Sequence, residues 1–179
     1  MTKTREKARA VLREIVSEYV QRSDAGKWSR GAFASINRVE KGLRGEVGED
    51  FAVAMLQMTG YGDAEKLTGR SSRRQKAGAF DIRANGRRIE VKTASEDVHG
   101  KFQFNGIKYN GKTPYDVLLL VGVAPDDAFF RMLRKDEIPK GLPMMAKNTP
   151  GTHKLTLSPN AMFSLENFAE QAAKYLGAE

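Results

Sequence analysis

Cysteine is absent from this 179-residue chain, which excludes disulfides and thiolate metal sites. Histidine is nearly absent too: His99 and His153 stand far apart and do not make a zinc site, so any metal must be held by oxygen. Long apolar runs are also missing. The longest, Val117 to Val123, is far short of the roughly 20 residues that cross a bilayer. The N-terminal MTKTREKARAV is positively charged but passes into an amphipathic helical pattern and not into an apolar signal-peptide core. A soluble, cytoplasmic protein with no membrane partner is expected. No repeat or Pro/Ser-rich linker divides the sequence, so one domain spanning 1–179 is expected. Gly69, Gly106, Gly111 and Gly122 form no phosphate loop, and no Gly-x-Ser-x-Gly elbow occurs; no organic cofactor is expected.

Positive charge, by contrast, is abundant and uneven. Residues 1–120 hold 23 Lys and Arg against 15 Asp and Glu, and residues 121–179 hold 7 of each, making up the totals of 30 and 22. The net charge of +8 therefore lies in the first two thirds, and suits a polyanion such as nucleic acid or an acidic membrane; solvated surface charge is the alternative.

Hydrophobic spacing divides the chain by period. Ala8, Val11, Leu12, Ile15, Val16, Tyr19 and Val20 recur at helical spacing until Ser23-Asp24-Ala25-Gly26. A short helical stretch is expected around Phe33, Ile36 and Val39, and a further helix from Gly45 to the Gly60-Tyr61-Gly62 stop. Beyond residue 64 the period becomes two, giving strands near 64–68, 79–84, 87–94, 101–105, 115–123, 128–134 and 152–157. Val117-Leu118-Leu119-Leu120-Val121 suits a strand covered on both faces, and Ser164 is placed to cap a final helix using Leu165, Phe168, Ala172 and Leu176. The expected class is α/β or α+β, with a mixed central sheet flanked by helices.

Asn85-Gly86 is the strongest local signal, because this dipeptide between two strand-like runs specifies a two-residue type I′ hairpin. The resulting register pairs Ala84 with Arg87, Arg83 with Arg88, Ile82 with Ile89, and Asp81 with Glu90. Two carboxylates would then face each other at a spacing that destabilises a sheet. Lys92, two residues beyond Glu90, shares its side, while Ile89 and Val91 point to the other. Either Lys92 neutralises a structural cluster, or Asp81 and Glu90 bind a hard divalent cation, which commonly takes one or two carboxylates plus water and phosphate oxygens.

Asp81, an eight-residue spacer and then Glu90-Val91-Lys92 resemble the motif of the PD-(D/E)XK nuclease superfamily, which includes many type II restriction endonucleases and Holliday-junction resolvases. Phe80 stands where that motif has proline. Gly45-Glu46-Val47-Gly48-Glu49 resembles the family's Gly-x-x-x-Glu helix, making Glu49 the candidate for a further acid, with Glu46 its rival. The likeness covers about residues 44–138, read as the catalytic core between a helical N-terminal extension, 1–43, and a C-terminal strand and helix, 139–179. It implies a restriction-endonuclease-like core, an intracellular protein of prokaryotic or phage type, and Mg²⁺ (with Mn²⁺ substituting) held by Asp81, Glu90 and Glu49. It further implies phosphodiester hydrolysis of double-stranded DNA, with Lys92 orienting the attacking water or offsetting the growing negative charge. A double-strand cut implies a homodimer.

Around this motif, Arg70, Arg73, Arg74 and Lys76 place four cations in seven residues just before Asp81, where they could hold DNA phosphates or form a solvated loop. Lys101, Gln103 and Asn105 alternate with Phe102 and Phe104, so Gln103 is a candidate for positioning water or phosphate, or else an exposed strand residue. Trp28 is expected to pack against the first helix, with base stacking as the alternative. A junction-resolving or repair nuclease, or a DNA-binding module without cleavage, are the competing functions.

Overall fold

The computed structural model describes residues 27–28, 30–67, 80–108, 114–138, 145–147 and 152–177. The amphipathic segment up to Gly26 and the basic residues Arg70, Arg73, Arg74 and Lys76 lie outside the described residues. Phe33, Ile36 and Val39 fall in or beside a 3-10 turn, Ala34–Arg38, which leads into helix α1, Lys41–Met58. That helix starts four residues earlier than Gly45. No side chain of Glu40 caps it; Arg44 instead reaches back to the carbonyls of Val39 (3.0 Å) and Asn37 (2.9 Å). Its end is fixed by Gly60 at φ +109°, by the Tyr61 N–H donating to Leu56 O (3.0 Å), and by the Thr59 hydroxyl on Met55 O (2.8 Å).

Strands β1 (Glu65–Lys66), β2 (Ile82–Ala84), β3 (Arg87–Ser95), β5 (Val117–Val123), β6 (Ala128–Arg134) and β9 (Phe163–Ser164) form one sheet in the order β1-β2-β3-β5-β6-β9. Only β3 and β5 run parallel, so the sheet is mixed. As its unbroken apolar sequence requires, β5 is covered on both faces. Val117, Leu119 and Val121 join one core with Ala52 and Leu56 of α1 and Phe168, Ala172 and Leu176 of α2 (Phe168–Leu176). Leu118 and Leu120 join a second core with Phe102, Phe104, Leu155 and Leu157.

The second core corrects the expectation of one sheet flanked by helices. Strand β4 (Phe102–Ile107) leaves the main sheet and forms a three-stranded antiparallel sheet, β4-β8-β7, with β8 (His153–Leu157) and β7 (Met145–Lys147). It does so because its alternating Phe102 and Phe104 bury against the even-numbered residues of β5, while Lys101, Gln103 and Asn105 stay exposed. Gly122 makes room: a Cβ there would stand 2.9 Å from the Phe102 ring. Helices thus cover one face and a small sheet the other. Strands β7 and β9 had no counterpart among the expected elements. Ser164 lies in β9 and does not cap α2; its hydroxyl meets Asn167 Oδ1 at 3.2 Å, and Asn167 is the residue that precedes the helix. Phe130 is fully buried and Phe129 packs against the second core. Among the described residues, no helix is long and apolar enough to cross a membrane.

Candidate active site

The hairpin has the register that Asn85-Gly86 specifies. Ala84 faces Arg87, Arg83 faces Arg88 and Ile82 faces Ile89, with Asn85 at φ +44° and Gly86 at φ +68° as a type I′ turn requires. The pairing ends one step earlier than expected. Asp81 does not pair with Glu90; its N–H donates to the carbonyl of Ile89 at 2.9 Å, so the chain steps out of register at that point. Beyond Ile82, β3 continues without β2 beside it, and the exposed N–H of Val91 needs an acceptor. The Asp81 carboxylate supplies one, its Oδ2 accepting that N–H at 2.8 Å. The Asp81 carbonyl accepts the Leu67 N–H (2.9 Å), so residues on both sides of the basic segment are anchored at Asp81.

Glu90 and Lys92 share one side of β3, as two-residue spacing demands, and the Lys92 ammonium donates to Glu90 Oε1 and to the Val91 carbonyl. Both side chains are about four-fifths buried. Burial lifts the Glu90 carboxyl above the usual range; Lys92 opposes that shift, and the neighbouring charge of Asp81 reinforces it.

Glu49 comes near Asp81 from α1, which covers the face of β3 opposite Glu90 and Lys92. That helix lies on the sheet through residues four apart, Gly48, Ala52 and Leu56, all buried. The approach is close at Gly48, where a Cβ would fall 1.7 Å from the Thr93 hydroxyl of β3. Glu49, next to this contact, is raised by burial and then by the charge of Asp81, against the pull of Lys66. Glu46 is exposed and contributes least to that shift, so of the two helical acids Glu49 is the one whose carboxyl is raised by Asp81. Lys66 donates from β1 to Asp50 (2.9 Å) and meets Glu49 at 3.3 Å. Burial draws its ammonium downward, but those two carboxylates outweigh it and the net shift is upward.

Lys66, Lys108 and Tyr115 were not foreseen. Lys108 lowers the Glu90 carboxyl, and the buried Tyr115 hydroxyl donates to the Lys108 carbonyl while its own proton is held more tightly through burial and the Glu90 charge. No motif marks these three; strand pairing and packing alone bring them in. Gln103 is not drawn into the group. It lies exposed on β4 of the second sheet, donating to Asp97 Oδ2 and accepting from Lys154, both at 2.8 Å. Trp28 is half-buried and donates to the Glu96 carbonyl (3.2 Å); the first-helix segment it was expected to pack against lies outside the described residues.

Glu49 and Glu90 thus each sense the charge of Asp81, and Glu90 does so beside the Lys92 ammonium. Among the described residues, no three acidic or histidine side chains stand close enough to hold a metal as arranged. Each carboxylate is engaged separately: Glu49 by Lys66, Asp81 by the Val91 N–H and Glu90 by Lys92. As donors, Glu49 and Glu90, raised chiefly by burial and further by the charge of Asp81, suit a hard cation such as Mg²⁺. No protein-family model matches the sequence, and a search of curated proteins found no match.

Proposed function

We propose that the chain is a Mg²⁺-dependent endonuclease of the PD-(D/E)XK type, cutting double-stranded DNA. The observation that supports the reading is Asp81, where β2 ends and β3 continues, whose charge raises both Glu49 and Glu90 while Lys92 is bonded to Glu90. Asp81 and Glu90, with Glu49, would hold the cation. When bound, it supplies an acidified water and charge stabilisation at a phosphate oxygen. The chain's own groups prepare for this. The Val91 N–H fixes the Asp81 carboxylate through one oxygen, and the Gly48–Thr93 contact holds Glu49 against the sheet. Lys92, tethered to Glu90 and to the Val91 carbonyl, would orient water and offset the negative charge that grows on a phosphodiester under attack. The basic segment between Leu67 and Phe80 begins and returns beside Asp81, so Arg70, Arg73, Arg74 and Lys76 would meet DNA phosphates flanking the cut. One such site per chain suits a two-fold homodimer for a double-strand break.

The test is incubation of the purified protein with circular, linear and four-way DNA, in Mg²⁺ or in EDTA. Cation-dependent cuts at a short fixed sequence support the restriction reading. Cuts clustered at the branch point and indifferent to sequence would replace it with junction resolution while retaining the catalytic assignment; binding without any cut would leave a DNA-binding module.

A further inference from the structure

Beyond the hairpin turn, a cleft of about 570 Å³ opens between the start of β5, the end of β6 and the C-terminus of α2. Its titratable lining comprises four cations, Arg87, Arg134, Lys135 and Lys174, against two carboxylates, Asp116 and Asp136. Asp116 is already matched: Arg88 holds it through Nη2 (2.7 Å) and Nε (3.1 Å), and its carboxyl is kept below the usual range by that contact.

The walls are also tied in place. Arg134 donates to the Lys174 carbonyl (3.1 Å) with its guanidinium 5.8 Å from the centre of the Tyr175 ring, and the Lys174 ammonium lies 5.1 Å from that ring. The Leu176 and Gly177 carbonyls, which would otherwise turn the helix end toward negative, accept from Asn85 Nδ2 (3.1 Å) and the Tyr61 hydroxyl (2.7 Å). Arg134 and Lys174, held together by these contacts, favour an anion between them and the exposed Arg87.

We propose that this cleft binds the phosphate of a nucleotide-sized ester, with Arg87 and Arg134 as its principal donors. The volume lies within the range of small-molecule sites, and guanidinium groups match phosphate through paired N–H bonds. The phosphate comes either from a free mononucleotide or from the end of a nucleic-acid strand. The cleft adjoins the carboxylate group through Tyr115, but the proposal does not rest on nuclease activity.

Calorimetric titration of the full chain in EDTA, with adenosine 5′-monophosphate, adenosine and a short 5′-phosphorylated oligonucleotide, tests it. The mononucleotide should bind at least about tenfold more tightly than adenosine, and Arg87→Gln and Arg134→Gln should each weaken it about tenfold. Arg134 also braces the Lys174 carbonyl, so Arg87→Gln, which alters an exposed side chain at the hairpin turn, keeps the test decisive should Arg134→Gln unfold. The Asp81→Ala/Glu90→Ala double variant should retain the affinity. Binding of the oligonucleotide but not the mononucleotide, with the same loss in both arginine variants, assigns the phosphate to a strand end. Adenosine binding as tightly as its phosphate, no binding of either phosphorylated probe, or binding indifferent to the arginines would overturn the proposal.

Discussion

Strand β3 supplies the cation to two cation–carboxylate pairs whose carboxyls shift in opposite directions, Arg88 with Asp116 just before β5 and Lys92 with Glu90. At its hairpin end, Arg88 grips Asp116 with two guanidinium nitrogens, the Arg88 N–H adds a third bond at 2.9 Å, and the Asp116 carboxyl is held below its ordinary range. Further along, Lys92 contacts Glu90, yet the Glu90 carboxyl stays above its ordinary range. The difference lies in surroundings. Asp116 has three donors and a side chain 31% exposed, whereas Glu90 is 18% exposed and shares its neighbourhood with Asp81. A charge pair stabilises a fold when donors are plentiful and water is near, and becomes a liability when burial strips its water and a second carboxylate adds to that cost. Liabilities of that kind concentrate where a ligand relieves them.

If the crowded stretch carries the chemistry, Asp81→Ala and Glu90→Ala should each reduce Mg²⁺-dependent DNA cleavage by on the order of 10³-fold while leaving circular dichroism unchanged. Full activity in either well-folded variant would sink the assignment of these carboxylates. The next effect in size concerns the contact that brings Glu49 in. Gly48→Ala should cost about 1–3 kcal/mol in urea unfolding, because the added methyl meets the Thr93 hydroxyl at 1.7 Å. The Gly48→Ala/Thr93→Ala double variant should recover most of that loss. An additive penalty would mean that the helix is set by something other than this contact. Arg73→Ala/Arg74→Ala tests the basic segment: about two fewer phosphate contacts should lower the slope of log affinity against log salt by roughly 2. An unchanged slope would place these arginines away from DNA.

How much of this was readable beforehand follows from how local each determinant is. Asn85-Gly86 fixes its turn by backbone preference alone, so the hairpin register and the shared side of Glu90 and Lys92 could be read from a dozen residues. The bond from Asp81 to the Val91 N–H could not, since it depends on β2 ending at Ile82 and leaving a donor unpaired. Phe102 and Phe104 announced a one-sided strand, but not which sheet it would join; that choice turns on the two-faced burial of β5 and the space at Gly122. Gly48 was in view within the helix sequence, and its role emerged only from the proximity of Thr93, 45 positions away. Lys66 and Tyr115 carry no local signal, because each reaches the site through pairing or packing across the chain.

The smallest expected effect sharpens the comparison most, because its sign differs between the two pairs. Glu90 is raised above its ordinary 4.5 in the folded state, so the folded form binds this proton more tightly than the unfolded form. Its contribution to stability is fully present below about pH 4.5 and is lost as pH rises through the raised folded value. Glu90→Gln, measured without divalent cations, should therefore be more stable than the parent at pH 7, and the gap should close toward pH 4. Asp116 is lowered from its ordinary 3.8, so its contribution is present above that value and is lost as pH falls through the still lower folded value. Asp116→Asn should be less stable than the parent at pH 7 by a few tenths to about 1 kcal/mol, the range for a partly exposed pair screened by solvent, and should converge with it only in stronger acid. Urea midpoints of both variants between pH 3.5 and 7, at constant ionic strength and with unchanged m-values, decide between the two behaviours. Destabilisation by both substitutions at pH 7 would mean that Lys92 satisfies Glu90 as fully as Arg88 satisfies Asp116, and the distinction between the two stretches of β3 would fall.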